Sequence, residues 1–245
     1  MSPQTYKIRR IKSPRTRVRG KRYLSKEEAE RLLNREHVIE EKIDGKLTTF
    51  ECPSYPNLTF FAEEMKRTHT IYYKNLPDSL FVVDIYDRKS GRFLPCSERI
   101  RCTIATGKLP PPIIKKSTRT SVEELEEMVF TRESAFRTEI NPEMKSALKH
   151  ISEIADVKNL MEGVVVKSTK GDARGKMVNP LFERIIDEIG RWERFSYDNR
   201  IVFLSEEEFI KYWEERVEKP LGIKIEDKKK FYQIYASTWR KEPSL

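Results

Sequence analysis

The chain has 245 residues, 38% hydrophobic, 36% charged and 10% aromatic, so it carries enough apolar surface to bury a core and is not a disordered chain. No run approaches the roughly 20 apolar residues of a membrane span, and the opening MSPQTYKIRR lacks the apolar stretch of a signal peptide, so a cytoplasmic protein without membrane association is expected. The formal charge is +9, all of it in residues 1–22, which hold nine basic residues and no acidic one, leaving 39 basic against 39 acidic residues elsewhere. Arg15, Arg17, Arg19, Lys21 and Arg22 belong to this arm, which suits a phosphate backbone through counterion release; the plain alternative is a solvated tail. Three cysteines without CxxC spacing and three isolated histidines predict neither disulfides nor a zinc site. Thirty Glu, nine Asp and two Gln make a balance expected of a protein working hot.

Ser25-Lys26-Glu27-Glu28 is a capping box, and Ala29, Leu32 and Leu33 at helical spacing predict a helix ending near Glu36. His37 to Ile43 and Lys46 to Cys52 are strand-like, and Asp44-Gly45 between them predicts a tight hairpin. Leu58 to Ala62 and Leu80 to Tyr86 are further strands, the second apolar enough to be buried on both faces, which makes Asp84 in its middle conspicuous. After Pro110-Pro111-Pro112, Ser121 with Glu124 caps one helix and Asn141-Pro142 starts another. Met161 to Ser168 is a buried strand entered by Glu162 and left through Lys167. Leu181 to Phe195, Glu206 to Val217 and Asp227 to Trp239 then read as helices, with Trp192, Trp213 and Trp239 in the core. The order predicts an α+β fold divided into a basic arm (1–22), a main domain (23–180) and a helical C-terminal piece (181–245).

Lys42 lies at the end of a strand, a rigid place to hold an amine, and an amine stripped of its proton is a nucleophile. Alone, Lys-Ile-Asp-Gly is as good a surface hairpin, the Val164–Val166 strand an ordinary core strand, and Arg174 with Lys176 a solvated loop. Their order is more specific. Glu41-Lys42-Ile43-Asp44-Gly45, then Glu63, then Phe81 to Asp84, then Glu162-Gly163-Val164-Val165-Val166-Lys167, then Arg174 with Lys176 resemble the ordered motifs of the covalent nucleotidyltransferases, the superfamily of polynucleotide ligases and capping enzymes. Ala62 to Tyr73, Leu76-Pro77 and Val83 to Arg88, with the Pro14-Arg15-Thr16 and Gly20 opening, are similar to ATP-dependent RNA ligases of bacterial and phage type. That likeness covers roughly residues 12 to 180.

The resemblance implies antiparallel nucleotidyltransferase (ATP-grasp-like) sheets with flanking helices. It implies attack of Lys42 on the α-phosphate of ATP, passage of AMP from the lysine to an RNA 5′-phosphate, and joining to an RNA 3′-hydroxyl. By the same likeness Glu41, Ile43, Asp44, Gly45, Glu63, Val83, Glu162, Lys167, Arg174 and Lys176 surround the nucleotide, Glu63 on the ribose and Glu162 on magnesium or manganese. Cations from Lys167, Arg174, Lys176 and the divalent metal are expected to lower the pKa of Lys42, with Asp84, His69 and Arg67 in support. The sequence departs from the family in four places: residues 47–62 hold no Arg or Lys, Val83 stands where an aromatic precedes the Asp, Lys46-Leu47 replaces Ser-Asn, and Arg174 replaces a lysine. A nucleic-acid-binding protein on a degenerate fold, and a DNA ligase or capping enzyme lacking its barrel domain, are the competing readings. Oligomeric state is left open.

Overall fold

The computed structural model describes residues 6–7, 23–148, 157–189 and 197–239. Trp192 and the arm residues Arg15, Arg17, Arg19, Lys21 and Arg22 lie outside them. In chain order the elements are β1 (Tyr6–Lys7), α1 (Lys26–Leu33), β2 (His37–Lys42), β3 (Lys46–Phe50), β4 (Leu58–Glu64), β5 (Ile71–Tyr73), β6 (Leu80–Asp87), β7 (Arg92–Phe93), α2 (Cys96–Ala105), β8 (Ile113–Ser117), α3 (Val122–Thr131), β9 (Thr138–Ile140), α4 (Pro142–Ala147), β10 (Gly163–Ser168), β11 (Arg174–Val178), α5 (Pro180–Ile189), α6 (Glu206–Trp213), a π-helical turn (Glu214–Glu218), α7 (Lys219–Leu221) and α8 (Lys228–Trp239). The fold is α+β. No helix among the described residues is long and apolar enough to cross a membrane.

Two sheets carry the architecture. A five-stranded sheet runs β1-β11-β10-β2-β8 and a four-stranded sheet β3-β4-β6-β7, with β5 and β9 forming a small pair of their own. Between the named strands of the described residues, the pairings are antiparallel except β1 with β11. The helix starts follow their caps: Ser25 and Ser121 each close a reciprocal capping box, and Asn141 caps α4 with Pro142 in its first turn.

The Asp44-Gly45 hairpin expected from sequence does not form. β2 lies in the five-stranded sheet and β3 in the four-stranded one, so the dipeptide carries the chain from one sheet to the other. Long-range bonds override the local turn preference. The Asp44 carboxylate accepts the amide N–H groups of Thr70 (2.7 Å) and Ile71 (2.9 Å), and its own amide donates to the Tyr73 hydroxyl (2.9 Å). A glycine is needed next because a Cβ at position 45 would lie 2.5 Å from Met65 Sδ and 2.6 Å from the Glu64 carbonyl oxygen. α2, β8, β9 and β11 also form where the sequence offered no strong local signal.

The largest core cluster joins Val38, Ile43, Phe81, Ile100 and Ile113 to Phe209, Trp213, Val217, Leu221 and Tyr235 of the C-terminal piece. Described residues after 180 therefore pack into the same core as the sheets. A second cluster, with Leu32, Ile39, Leu125, Val164 and Val166, lies under α1 and α3 on the other face of the five-stranded sheet.

Candidate active site

Strand alternation places the chemistry. In β2, Val38, Glu40 and Lys42 share one face, and Ile39 and Glu41 share the other. Across the sheet Gly163 opposes Lys42, Val165 opposes Glu40, and Lys167 opposes Val38. On the next strand Lys176 opposes Val165 and Arg174 opposes Lys167. Glu40, Lys42, Lys167, Arg174 and Lys176 thus project from the same face. A cavity of about 400 Å³ opens there, lined by Lys42, Val165, Lys167 and Lys176 from one sheet and by Leu47, Glu63, Val83 and Asp84 from the other.

Lys42 sits at one end of this cleft with its Nζ 2.5 and 2.6 Å from the two carboxylate oxygens of Glu162. Burial pulls its pKa down, but Glu162, Glu63 and Asp44 outweigh burial and hold it above the ordinary lysine value. Among the protein's own groups, carboxylates rather than the lysine and arginine side chains dominate around the amine. Burial lifts the acids in turn, Glu162 to about 7, Glu63 to about 7 and Asp44 to about 6. Burial and the nearby Lys42 and Lys46 charges keep His69 neutral, with its pKa pushed down to about 4.

The other end of the cleft is a buried ionic network. Lys167 Nζ donates to Glu40 (2.7 Å) and to the Val83 carbonyl (2.5 Å). Arg99 donates to Glu40 and to the same carbonyl, the latter at 3.1 Å. Arg174 donates to Asp84 at 2.6 Å and lies over the Phe93 ring, 3.9 Å from its centroid. This accounts for Asp84 in an apolar strand: it pairs with Arg174 and lies 3.7 Å from Lys167, joining the two sheets.

Of the residues expected from sequence, Lys42, Ile43, Glu63, Val83, Asp84, Lys167 and Lys176 line the cleft, and Glu162 touches Lys42. Glu41 contributes backbone, since its carboxylate turns to the opposite face and accepts from the Ser134 hydroxyl (2.5 Å) and the Ala135 amide (2.8 Å). Asp44 and Gly45 hold the loop beside Lys42. The guanidinium of Arg174 is engaged with Asp84, and Arg67 is exposed, outside the residues lining the cleft. Glu40 and Arg99 were not singled out from sequence; the alternation of HVIEEK, which puts Glu40 on the Lys42 face, is the signal that finds the first of them.

The RNA ligase family model matches residues 23–178. No curated protein sequence matches the chain. Solved structures of Naegleria gruberi RNA ligase variants are similar: one without ligand (16% identity, TM-score 0.43, covering 64% of this chain and 53% of that one), one with ATP and Mn (15%, 0.41, 64% and 53%) and one with AMP and Mn (14%, 0.39, 63% and 53%). The chain spans about half the length of the solved structures it matches.

Proposed function

The chain belongs to the RNA ligase family, and we propose that it is an ATP-dependent RNA ligase in which Lys42 carries AMP to an RNA 5′-phosphate for joining to a 3′-hydroxyl. The observation that carries the reading is Lys42 Nζ held on Glu162 at the end of a cleft walled by Glu63 and Lys176. The ammonium first loses a proton to solvent, the neutral amine attacks the α-phosphorus of ATP, an N–P bond forms as the P–O bond to pyrophosphate breaks, a second proton leaves the nitrogen for solvent, and a lysyl-AMP phosphoramide remains. The 5′-phosphate of RNA then displaces Lys42 from AMP, and the 3′-hydroxyl of the second end displaces AMP.

In the resting protein the amine is protonated and paired, so it is protected but inert. Among the described residues no group of three His, Cys, Asp or Glu side chains is arranged to hold a metal unaided. Glu162 instead offers the single carboxylate that magnesium can take when substrate phosphates complete its shell, with Glu63 beside it for the ribose. Their raised affinity for protons marks two crowded acids that a cation would relieve. Bound there, magnesium or manganese would supply positive charge to the phosphate oxygens and compete with Lys42 for Glu162. Lys176 adds a cation on the same face, and Val83 with the Glu41 backbone would border the base. The network behind Lys167 fixes the sheet that carries these groups.

The test is incubation with magnesium and α-labelled ATP or GTP, followed by denaturation and detection of label on the chain. Label from ATP that Lys42→Ala lacks is the expected result. No label from either nucleotide, after removal of any AMP already bound, refutes the reading in favour of a binding protein on the same fold.

A further inference from the structure

Next to the Lys42 end of the cleft, residues 66–76 and 197–202 form one hydrogen-bonded unit. Asn199 is buried and ties it together: its amide nitrogen donates to the carbonyls of Met65 (2.7 Å) and Arg67 (3.2 Å), and its oxygen accepts from the Thr68 hydroxyl (2.9 Å) and the Tyr73 amide (2.8 Å). Backbone bonds continue the seam, Thr68 to Tyr197, Arg200 to Tyr73, and Leu76 to Arg200. On the outer surface of this unit Tyr72 and Tyr197 meet edge to face, ring centroids 5.0 Å apart, and Tyr197 stays 39% exposed. Arg200 and Lys74 are the cations that act on Tyr72, Lys74 being paired at 2.5 Å with Glu139, the residue opposite Tyr72 across β5 and β9. Lys66 and Arg67 are exposed on the segment that the seam joins to Tyr197, with Glu64 and Asp198 as the acids beside them in sequence. The unit is bound to the nucleophile loop through the Asp44 carboxylate on Thr70 and Ile71.

An aromatic ring left in solvent and fixed by a second ring, flanked by long cations and anchored to a reactive lysine's own loop, is the composition of a stacking platform for an unpaired base with its phosphates neutralised alongside. A base inside a duplex has both faces covered and cannot use such a ring. From this placement we propose that Tyr197, supported by Tyr72 and flanked by Lys66, Arg67 and Arg200, receives an unpaired nucleotide of the RNA end being joined, so that the preferred substrate end is single-stranded. This rests on the RNA ligase reading for its substrate.

The test measures binding of a 5′-phosphorylated single-stranded oligoribonucleotide and of a blunt RNA duplex of equal length by fluorescence anisotropy at several salt concentrations. Tyr197→Ala is expected to weaken single-strand binding about tenfold, the size of one lost base–aromatic stack, and to leave duplex binding within a factor of about two. Tyr197→Phe keeps the ring and is expected to bind as the original does, and thermal melting of each variant reports whether the fold holds. Lys66→Ala with Arg200→Ala is expected to lower the salt slope for single strands by about 1.4, two phosphate contacts at roughly 0.7 each. Unchanged single-strand binding by Tyr197→Ala, or an equal loss for strand and duplex, overturns the proposal. Labelled AMP transfer on the original chain is read in parallel, so failure of the ligase chemistry is seen apart from failure of the platform.

Discussion

Lys42 and Glu162 are partners in a buried site, with Nζ 2.5 and 2.6 Å from the two carboxylate oxygens. Removing the amine leaves a buried acid that already binds its proton up to about pH 7 with the lysine present. Lys42→Ala is therefore expected to abolish AMP transfer and to cost little stability at pH 6. Above pH 7 the buried acid must stay protonated or ionise unpaired, and the added cost grows by up to about 1.4 kcal/mol per pH unit. Melting curves of both proteins at pH 6 and pH 9 check this; a loss equal at the two values contradicts the pairing.

The same cluster sets a pH dependence in the original chain. Glu63 and Glu162 are raised to about 7 and Asp44 to about 6, so the folded state keeps protons that the unfolded chain gives up near the ordinary carboxylate range. The folded state then binds more protons across that window, and the cluster's contribution to stability falls as pH rises from about 4 to about 7. The three acids are coupled and titrate as a group. Glu63→Gln is expected to flatten the curve of unfolding free energy against pH between pH 4 and 7; a variant curve parallel to the original is the contrary result.

Asp84 is the acid that joins the two sheets through Arg174, both side chains being 7% exposed. Asp84→Ala leaves Arg174 buried without its carboxylate, a loss of about 3–5 kcal/mol for a broken buried pair. Arg174→Met in the same background is expected to recover part of that loss, because the stranded charge is removed with its partner. Urea unfolding of the two single variants and the double variant gives the coupling directly, and additive losses would show that the pair does not act as one.

How the site was readable in the sequence follows from the range of each interaction. Lys42, Glu63, Glu162 and Lys176 stand in ordered motifs, and β-strand alternation alone puts Lys42 and Lys167 on cleft-facing positions. Asp84 stood out as a charge in an apolar strand, though only the fold shows Arg174 beneath it. The hairpin at Asp44-Gly45 was misread because a turn dipeptide reports local preference, while the bonds that decide its path reach Thr70, Ile71 and Tyr73. Arg99 pairs with Glu40 across 59 positions, a separation that no local pattern encodes. The ring of acids around Lys42 was hidden for the same reason: Asp44, Glu63 and Glu162 come together only in space.

Gly45 gives a steric prediction that needs no charge. A Cβ there would lie 2.5 Å from Met65 Sδ, 2.6 Å from the Glu64 carbonyl oxygen and 2.8 Å from Glu63 Cγ. The carbonyl belongs to a paired strand and yields little, so Gly45→Ala is expected to cost about 1–3 kcal/mol, as overpacking does. The shift would also displace Glu63, and AMP transfer is expected to fall more than in a variant of equal stability altered away from the cleft. A Gly45→Ala protein as stable and as active as the original would show that the crossing between sheets is loose.

The basic arm is tested by charge rather than by deletion. Tyr6 and Lys7 form β1, which pairs in parallel with Gly175 and Lys176 of β11, so cutting away residues 1–22 would also strip the edge of the sheet that carries Lys176. Replacing Arg15, Arg17, Arg19, Lys21 and Arg22 by Gln leaves β1 in place and removes five charges. If these residues contact RNA phosphates, the slope of log affinity against log salt for single strands falls by up to about 3.5, at roughly 0.7 per contact. AMP transfer to Lys42 involves no RNA and is expected to continue at the original rate. An unchanged salt slope would assign the arm's charge to solvent, and a lost AMP transfer would place it at the nucleotide instead.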